Sequence, residues 1–125
     1  MSTRRQRKVA DLIQEELSAL LMRRVHDPRV EGVTVTAVDV SADLHYADVL
    51  VTVLGDEERK KEAIAGLNAA AGFLRRELAP SLNLRYMPEL RFHIDRSYER
   101  GARIDALLEE IAAKEHPEES KGNES

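Results

Sequence analysis

The stretch Ala69-Ala70-Ala71-Gly72-Phe73-Leu74-Arg75-Arg76 decides how this chain folds. Upstream, Ala63, Ile64 and Leu67 set an apolar helical period, and Phe73, Leu74 and Leu78 resume it downstream. A glycine inside a helix costs about 1 kcal/mol relative to alanine, so its presence predicts a bend, a close approach, or both. A kink at Ala70, Ala71 and Gly72, followed at once by the guanidinium groups of Arg75 and Arg76, would bring a sugar-phosphate chain close to bare backbone. The plainer alternative is that the small residues only permit tight helix packing. The two readings are compatible.

Working back toward the start, Val9, Leu12, Ile13, Leu17, Leu20 and Leu21 predict an amphipathic helix over about residues 4–24. Arg23 and Arg24 fall in its last turn, where positive charge suits the helix dipole, and Asp27-Pro28 ends it. Each aliphatic side chain contributes roughly 1.5–3 kcal/mol if buried, so the helix needs an apolar surface to cover. Val33 to Val40 supplies one strand of it. Val33 and Val35 share one face and Val38 and Val40 the other, a phase slip that predicts either a bulge or a strand buried on both sides. Ala47, Val49, Val51 and Val53 alternate with Tyr46, Asp48, Leu50, Thr52 and Leu54, and Ser41-Ala42-Asp43 turns the first strand into the second.

Beyond this hairpin, Gly55-Asp56 marks the exit, and Asp56, Glu57 and Glu58 open the next helix, which runs to about Leu82 with Pro80 in its final turns. Pro88 precedes a third strand in which Leu90, Phe92 and Ile94 alternate with Arg91, His93 and Asp95. Ser97 is placed to cap a last helix holding Ile104, Leu107, Leu108 and Ile111, and from Lys114 onward the polar sequence predicts a disordered tail. The expected fold class is α+β, with helices over one face of a three-stranded sheet.

Composition narrows the function. A chain of 125 residues, 34% charged and 42% apolar, builds one domain with one modest core. The absence of Cys excludes disulfides, thiolate metal sites and Cys nucleophiles. No apolar run of about 18 residues exists, and Met1-Ser2-Thr3-Arg4-Arg5 leads straight into a charged helix, so a cytoplasmic protein without a membrane partner is expected. His26, His45, His93 and His116 are isolated, so no metal site is expected. His93 and Asp95 pair on a strand without a nucleophile, which points away from an enzyme and from any cofactor.

The net charge of −4 hides a polarised distribution. Arg4, Arg5, Arg7 and Lys8 form a basic segment without acids, read as a mobile arm that gains affinity by counterion release or, alternatively, as unspecific surface charge. Asp39, Asp43, Asp48, Asp56, Glu57 and Glu58 lie in a stretch free of Lys and Arg, a solvated face turned away from RNA or toward a basic protein. Arg75 and Arg76 lead the predicted RNA contacts, with solvated helix arginines as their alternative. Arg85, Arg91, Arg96 and Arg103 extend the track, although Arg91 shares a strand face with His93 and Asp95, where an intramolecular ion pair is equally open. Only Tyr46 and Phe92 are strand aromatics suited to stacking, and Phe92 belongs to the core. That shortage favours backbone or shape recognition, and it keeps open a protein-interaction adapter that makes no direct RNA contact.

A helix–kink–helix between the second and third strands resembles the type II K-homology (KH) domain. Its usual Gly-x-x-Gly loop is absent, and Ala70-Ala71-Gly72 stands at the junction instead. With Arg4-Arg5-Gln6-Arg7-Lys8, Asp27-Pro28-Arg29, Pro88-Glu89-Leu90-Arg91-Phe92, Asp95-Arg96-Ser97 and the Ile104, Leu107, Leu108 pattern, the chain is similar to the bacterial ribosome-binding factor A family over about residues 4–112. The resemblance implies an α-β-β-α-kink-α-β core plus a C-terminal helix, a ribosome-binding domain over residues 1–113, and a tail over 114–125. It also implies a monomeric, non-enzymatic assembly factor that binds 16S rRNA of the immature small (30S) subunit, around the 5′-terminal and decoding-region helices. Such a factor assists late maturation and processing of the 16S precursor 5′ end, supports growth in the cold, and acts as a checkpoint until released. Ribosomal proteins and a maturation GTPase are its implied further partners.

Overall fold

Thr3 starts the first helix. In the computed structural model, which describes residues 2–97, the Thr3 hydroxyl accepts from the Gln6 amide at 3.1 Å and the Gln6 side chain accepts from the Thr3 amide at 2.8 Å. This reciprocal cap satisfies two otherwise orphaned donors and launches α1 (Arg4–Arg23). Arg4, Arg5, Arg7 and Lys8 are therefore its first two turns, and the mobile arm expected there is corrected to an ordered helix end. Val9, Ile13, Leu17 and Leu21 form its buried stripe. Gln6 is buried with them, and its Nε2 donates to the Val40 carbonyl at 2.8 Å.

Past α1, a short 3-10 turn (Pro28–Val30) is capped by Asp27, whose carboxylate accepts from the Arg29 amide at 2.9 Å. The chain then enters β1 (Thr34–Val40), antiparallel to β2 (Tyr46–Thr52). The register slips between Val35 and Ala37, so the phase change in the sequence is a bulge. Because of it Val35 and Val40 both point into the core. The extra residue, Thr36, donates its hydroxyl to Asp95 at 2.6 Å. In the turn between β1 and β2, the Asp43 carboxylate accepts from the Ser41 hydroxyl at 2.7 Å and the His45 amide at 3.0 Å.

Asp56 caps α2 (Glu57–Leu82) by accepting from the Arg59 amide at 2.9 Å, and Glu57 and Glu58 occupy the first turn as the dipole prefers. The helix runs through Ala70, Ala71 and Gly72 without interruption. The helix does not end at that junction, for a physical reason. Ala63, Leu67, Leu74 and Leu78 are all fully buried. Their spacing keeps one apolar face in phase across Gly72, so packing and the alanine propensity outweigh one glycine. The close approach belongs to Gly66 instead, buried against Arg29 and Val30 of the 3-10 turn. Asn83, left-handed at φ 52°, closes the helix.

β3 (Glu89–Ile94) lies parallel to β2, giving the strand order β1-β2-β3 with α2 as the crossover. Val35, Val40, Ala47, Val49, Val51, Leu90 and Phe92 face α1 and α2 across one core. The opposite sheet face carries Tyr46, Asp48, Leu50, Arg91 and His93. The compact unit so built ends at Asp95. Arg103, the last helix expected around residues 104–111 and the expected disordered tail lie outside the described residues. Among the described residues no helix is long and apolar enough to cross a membrane.

Candidate nucleic-acid interface

The predicted cations divide into three groups by their surroundings. The first group frames a groove of about 180 Å³ where the start of α1 meets the β1–β2 turn and the α2–β3 loop. Arg5 comes from α1, Asp43 and His45 from the turn, and Arg85 and Tyr86 from the loop. Leu44 and Leu84 form its floor and pack against the core. The Arg85 guanidinium lies 5.7 Å from the Tyr86 ring centroid, and Tyr86 is 67% exposed. Arg4, Arg7 and Lys8 occupy the adjoining surface of α1 with Asp11 and Glu15. Four cations thus crowd the positive end of a helix whose first turn holds no acid. That arrangement opposes the helix dipole and attracts anions.

The second group is structural. Arg75 donates from Nε to the Pro88 carbonyl at 3.2 Å and from Nη2 to the Met87 carbonyl at 2.9 Å. It therefore ties down the loop that carries Arg85 and Tyr86, while its neighbour Arg76 is exposed and lies near Gly72. The Arg76 side chain makes no hydrogen bond or ion pair among the described residues, as is also true of the side chains of Arg4, Arg5 and Lys8. The Asp27-Pro28-Arg29 segment is likewise an internal brace. Arg29 pairs with Asp27 at 2.7 Å, and Arg59 donates to the Arg29 and Glu31 carbonyls at 2.8 and 2.6 Å.

Arg91 stands on the open sheet face. The intramolecular pair left open by the sequence forms, but with Asp48 across the parallel strands and not with Asp95. Two hydrogen bonds of 2.9 and 3.1 Å join them, and His93 Nε2 lies 2.8 Å from the same carboxylate. Desolvation pushes the Asp48 carboxyl up, but the Arg91 and His93 hydrogen bonds outweigh it and hold it below the ordinary carboxylate range. Arg91 also covers the Tyr46 ring at 4.3 Å, so that aromatic is already occupied, and Phe92 is buried. Arg96 is exposed just past the unit. Sequence reasoning missed Tyr86. Its signal was an aromatic outside any periodic run, between the helix end at Asn83 and the buried Pro88.

The comparison with known proteins agrees with this architecture. The family described as "Ribosome-binding factor A" matches residues 5–108. The chain is 42% identical over 120 residues to ribosome-binding factor A of Geotalea daltonii, covering 96% of this chain and 98% of that protein. The crystal structure of ribosome-binding factor A from Thermus thermophilus matches with a TM-score of 0.55 at 30% identity, over 72% of this chain and 91% of that one. A homology model of the Thermus thermophilus factor, as fitted into a cryo-electron-microscopy map of its complex with the 30S subunit, matches with a TM-score of 0.55 at 29% identity, over 77% and 97%. With the family spanning nearly all of the α-β-β-α-β unit and running beyond it, this chain belongs to the ribosome-binding factor A family.

Proposed function

We propose that this chain docks on the immature small ribosomal subunit by contacting 16S rRNA, assisting its late maturation and the processing of the precursor 5′ end without a reaction of its own. The observation that carries the reading is the meeting of Arg5 with Arg85 and Tyr86 at the crowded positive end of α1. Arg4, Arg7, Lys8 and Arg76 add charge without acidic partners for phosphates, and Arg75 contributes by holding the loop. The same proposal includes a docking site near the 5′-terminal and decoding-region helices, support of growth in the cold, and ribosomal proteins and a maturation GTPase as further partners. The test is sedimentation with small subunits. Arg5→Glu combined with Arg85→Glu should abolish it while circular dichroism stays unchanged, and unaltered sedimentation removes the assignment.

A second reading has one observation in its favour. The open sheet face carries Asp39, Asp48, Glu89 and Asp95 against Arg91, a surface suited to a basic protein partner. Nuclease treatment of captured complexes separates the two, because partners held through RNA are lost and direct protein partners remain.

A further inference from the structure

We infer that the groove between the start of α1, the β1–β2 turn and the α2–β3 loop takes one unpaired nucleotide, with its base stacked on Tyr86. This rests on the ribosomal RNA reading and sharpens it, since a phosphate-tracking surface needs no aromatic.

Tyr86 is 67% exposed, the most of any Phe or Tyr among the described residues, and its hydroxyl has no hydrogen-bond partner among them. Arg85 lies over one side of the ring at 5.7 Å, farther than Arg91 lies from Tyr46, and the opposite flat face is offered to a base. Its setting is built, not frayed. Asn83 reverses the chain in the left-handed region, the Pro88 side chain is fully buried, and the Arg75 guanidinium bonds the Met87 and Pro88 carbonyls. Loop order established in advance reduces the entropy lost on binding. Around the ring the chemistry is that of a nucleotide. Leu44 and Leu84 give an apolar floor, and Arg5 and Arg85 supply cations for the phosphate.

The acid in the groove limits it to a single residue of RNA. Asp43 Oδ1 is taken by Ser41 and the His45 amide, and Oδ2 lies 3.4 Å from His45 Nδ1. A carboxylate there repels a second phosphate yet can accept from a ribose 2′-hydroxyl. A base still paired in an A-form duplex cannot present its face to Tyr86, so the groove selects unpaired RNA.

The experiment uses the full chain with a short mixed-sequence oligoribonucleotide, single-stranded or annealed to its complement. Tyr86→Ala should weaken single-strand binding about tenfold, while Tyr86→Phe keeps it and duplex binding stays within about twofold for both. Equal loss on single strand and duplex, an unaffected Tyr86→Ala, or a wild type that does not prefer the single strand overturns the proposal. Co-sedimentation with small subunits is read in parallel. If Tyr86→Ala is silent while the Arg5→Glu, Arg85→Glu variant no longer sediments, the stacking site fails and the ribosomal reading survives. If that double variant still sediments, the ribosomal reading fails as well.

Discussion

Gly66 of α2 lies so close to Arg29 that a Cβ built on it would stand 2.8 Å from the Arg29 Cβ and 3.0 Å from Val30 Cγ1. Helix and turn meet backbone to side chain, with no slack at that point. Gly66→Ala should destabilise the protein by about 1–3 kcal/mol through overpacking. Gly72→Ala should stabilise it by up to about 1 kcal/mol, because the added methyl would meet only the Arg76 guanidinium at 3.7 Å and would favour the helix. Urea unfolding of both variants measures the difference, and a destabilising Gly72→Ala would show that residue 72 matters for more than helix propensity.

Arg75 and Arg76 are neighbours in different settings, one bonded to the α2–β3 loop and the other exposed. Arg75→Ala should cost about 1–3 kcal/mol by removing two charged hydrogen bonds to the Met87 and Pro88 carbonyls. Arg76→Ala should leave stability within about 0.5 kcal/mol of wild type while weakening association with small subunits. Denaturation and sedimentation on the same two variants check both halves, and equal stability losses would contradict the division.

These two pairs mark where sequence reading stops. The α1 stripe, the hairpin and the alternation of β3 follow from local periodicity and are legible in the sequence. The phase slip in β1 leaves a bulge and a doubly buried strand both open, and only the register places the bulge at Thr36. Which glycine touches another element depends on where the 3-10 turn lands against α2, a long-range fact that places the contact at Gly66 and leaves Gly72 open. The partner of Arg91 depends on parallel register. Asp48 stands opposite it, and nothing near Arg91 in the chain announces that. Tyr86 was passed over because loop residues have no period to reveal their exposure. The groove it shares with Arg5 joins positions about eighty residues apart along the chain.

The Asp48 carboxyl, desolvated at the sheet surface but hydrogen-bonded by Arg91 and His93, has a folded pKa below its unfolded one. Its stabilising contribution is therefore present above the unfolded value of about 3.9 and is lost as pH falls through the lower folded value. Asp48→Asn should be less stable than wild type near about pH 6, with the gap closing toward about pH 2. Thermal melts across that range test the sign, and a gap that widens in acid would contradict it.

Arg4, Arg5, Arg7, Lys8, Arg76 and Arg85 have no acidic partner among the described residues. If each meets one phosphate of single-stranded RNA at about 0.7 per contact, the log–log salt slope of the affinity should be about −4. Arg5→Ala should reduce that slope by about 0.7, as fluorescence anisotropy over a salt series will read. A flat salt response would contradict an RNA interface.

Gln6 reaches from α1 to the outer carbonyl of Val40, and Gln14 leans at 3.5 Å over that of Val35. Both oxygens lie along the free margin of β1, where a foreign strand would otherwise zip on. Two amide side chains thus act as stoppers on that seam. With that seam covered, a route to fibre-like self-association through β1 is closed from the start.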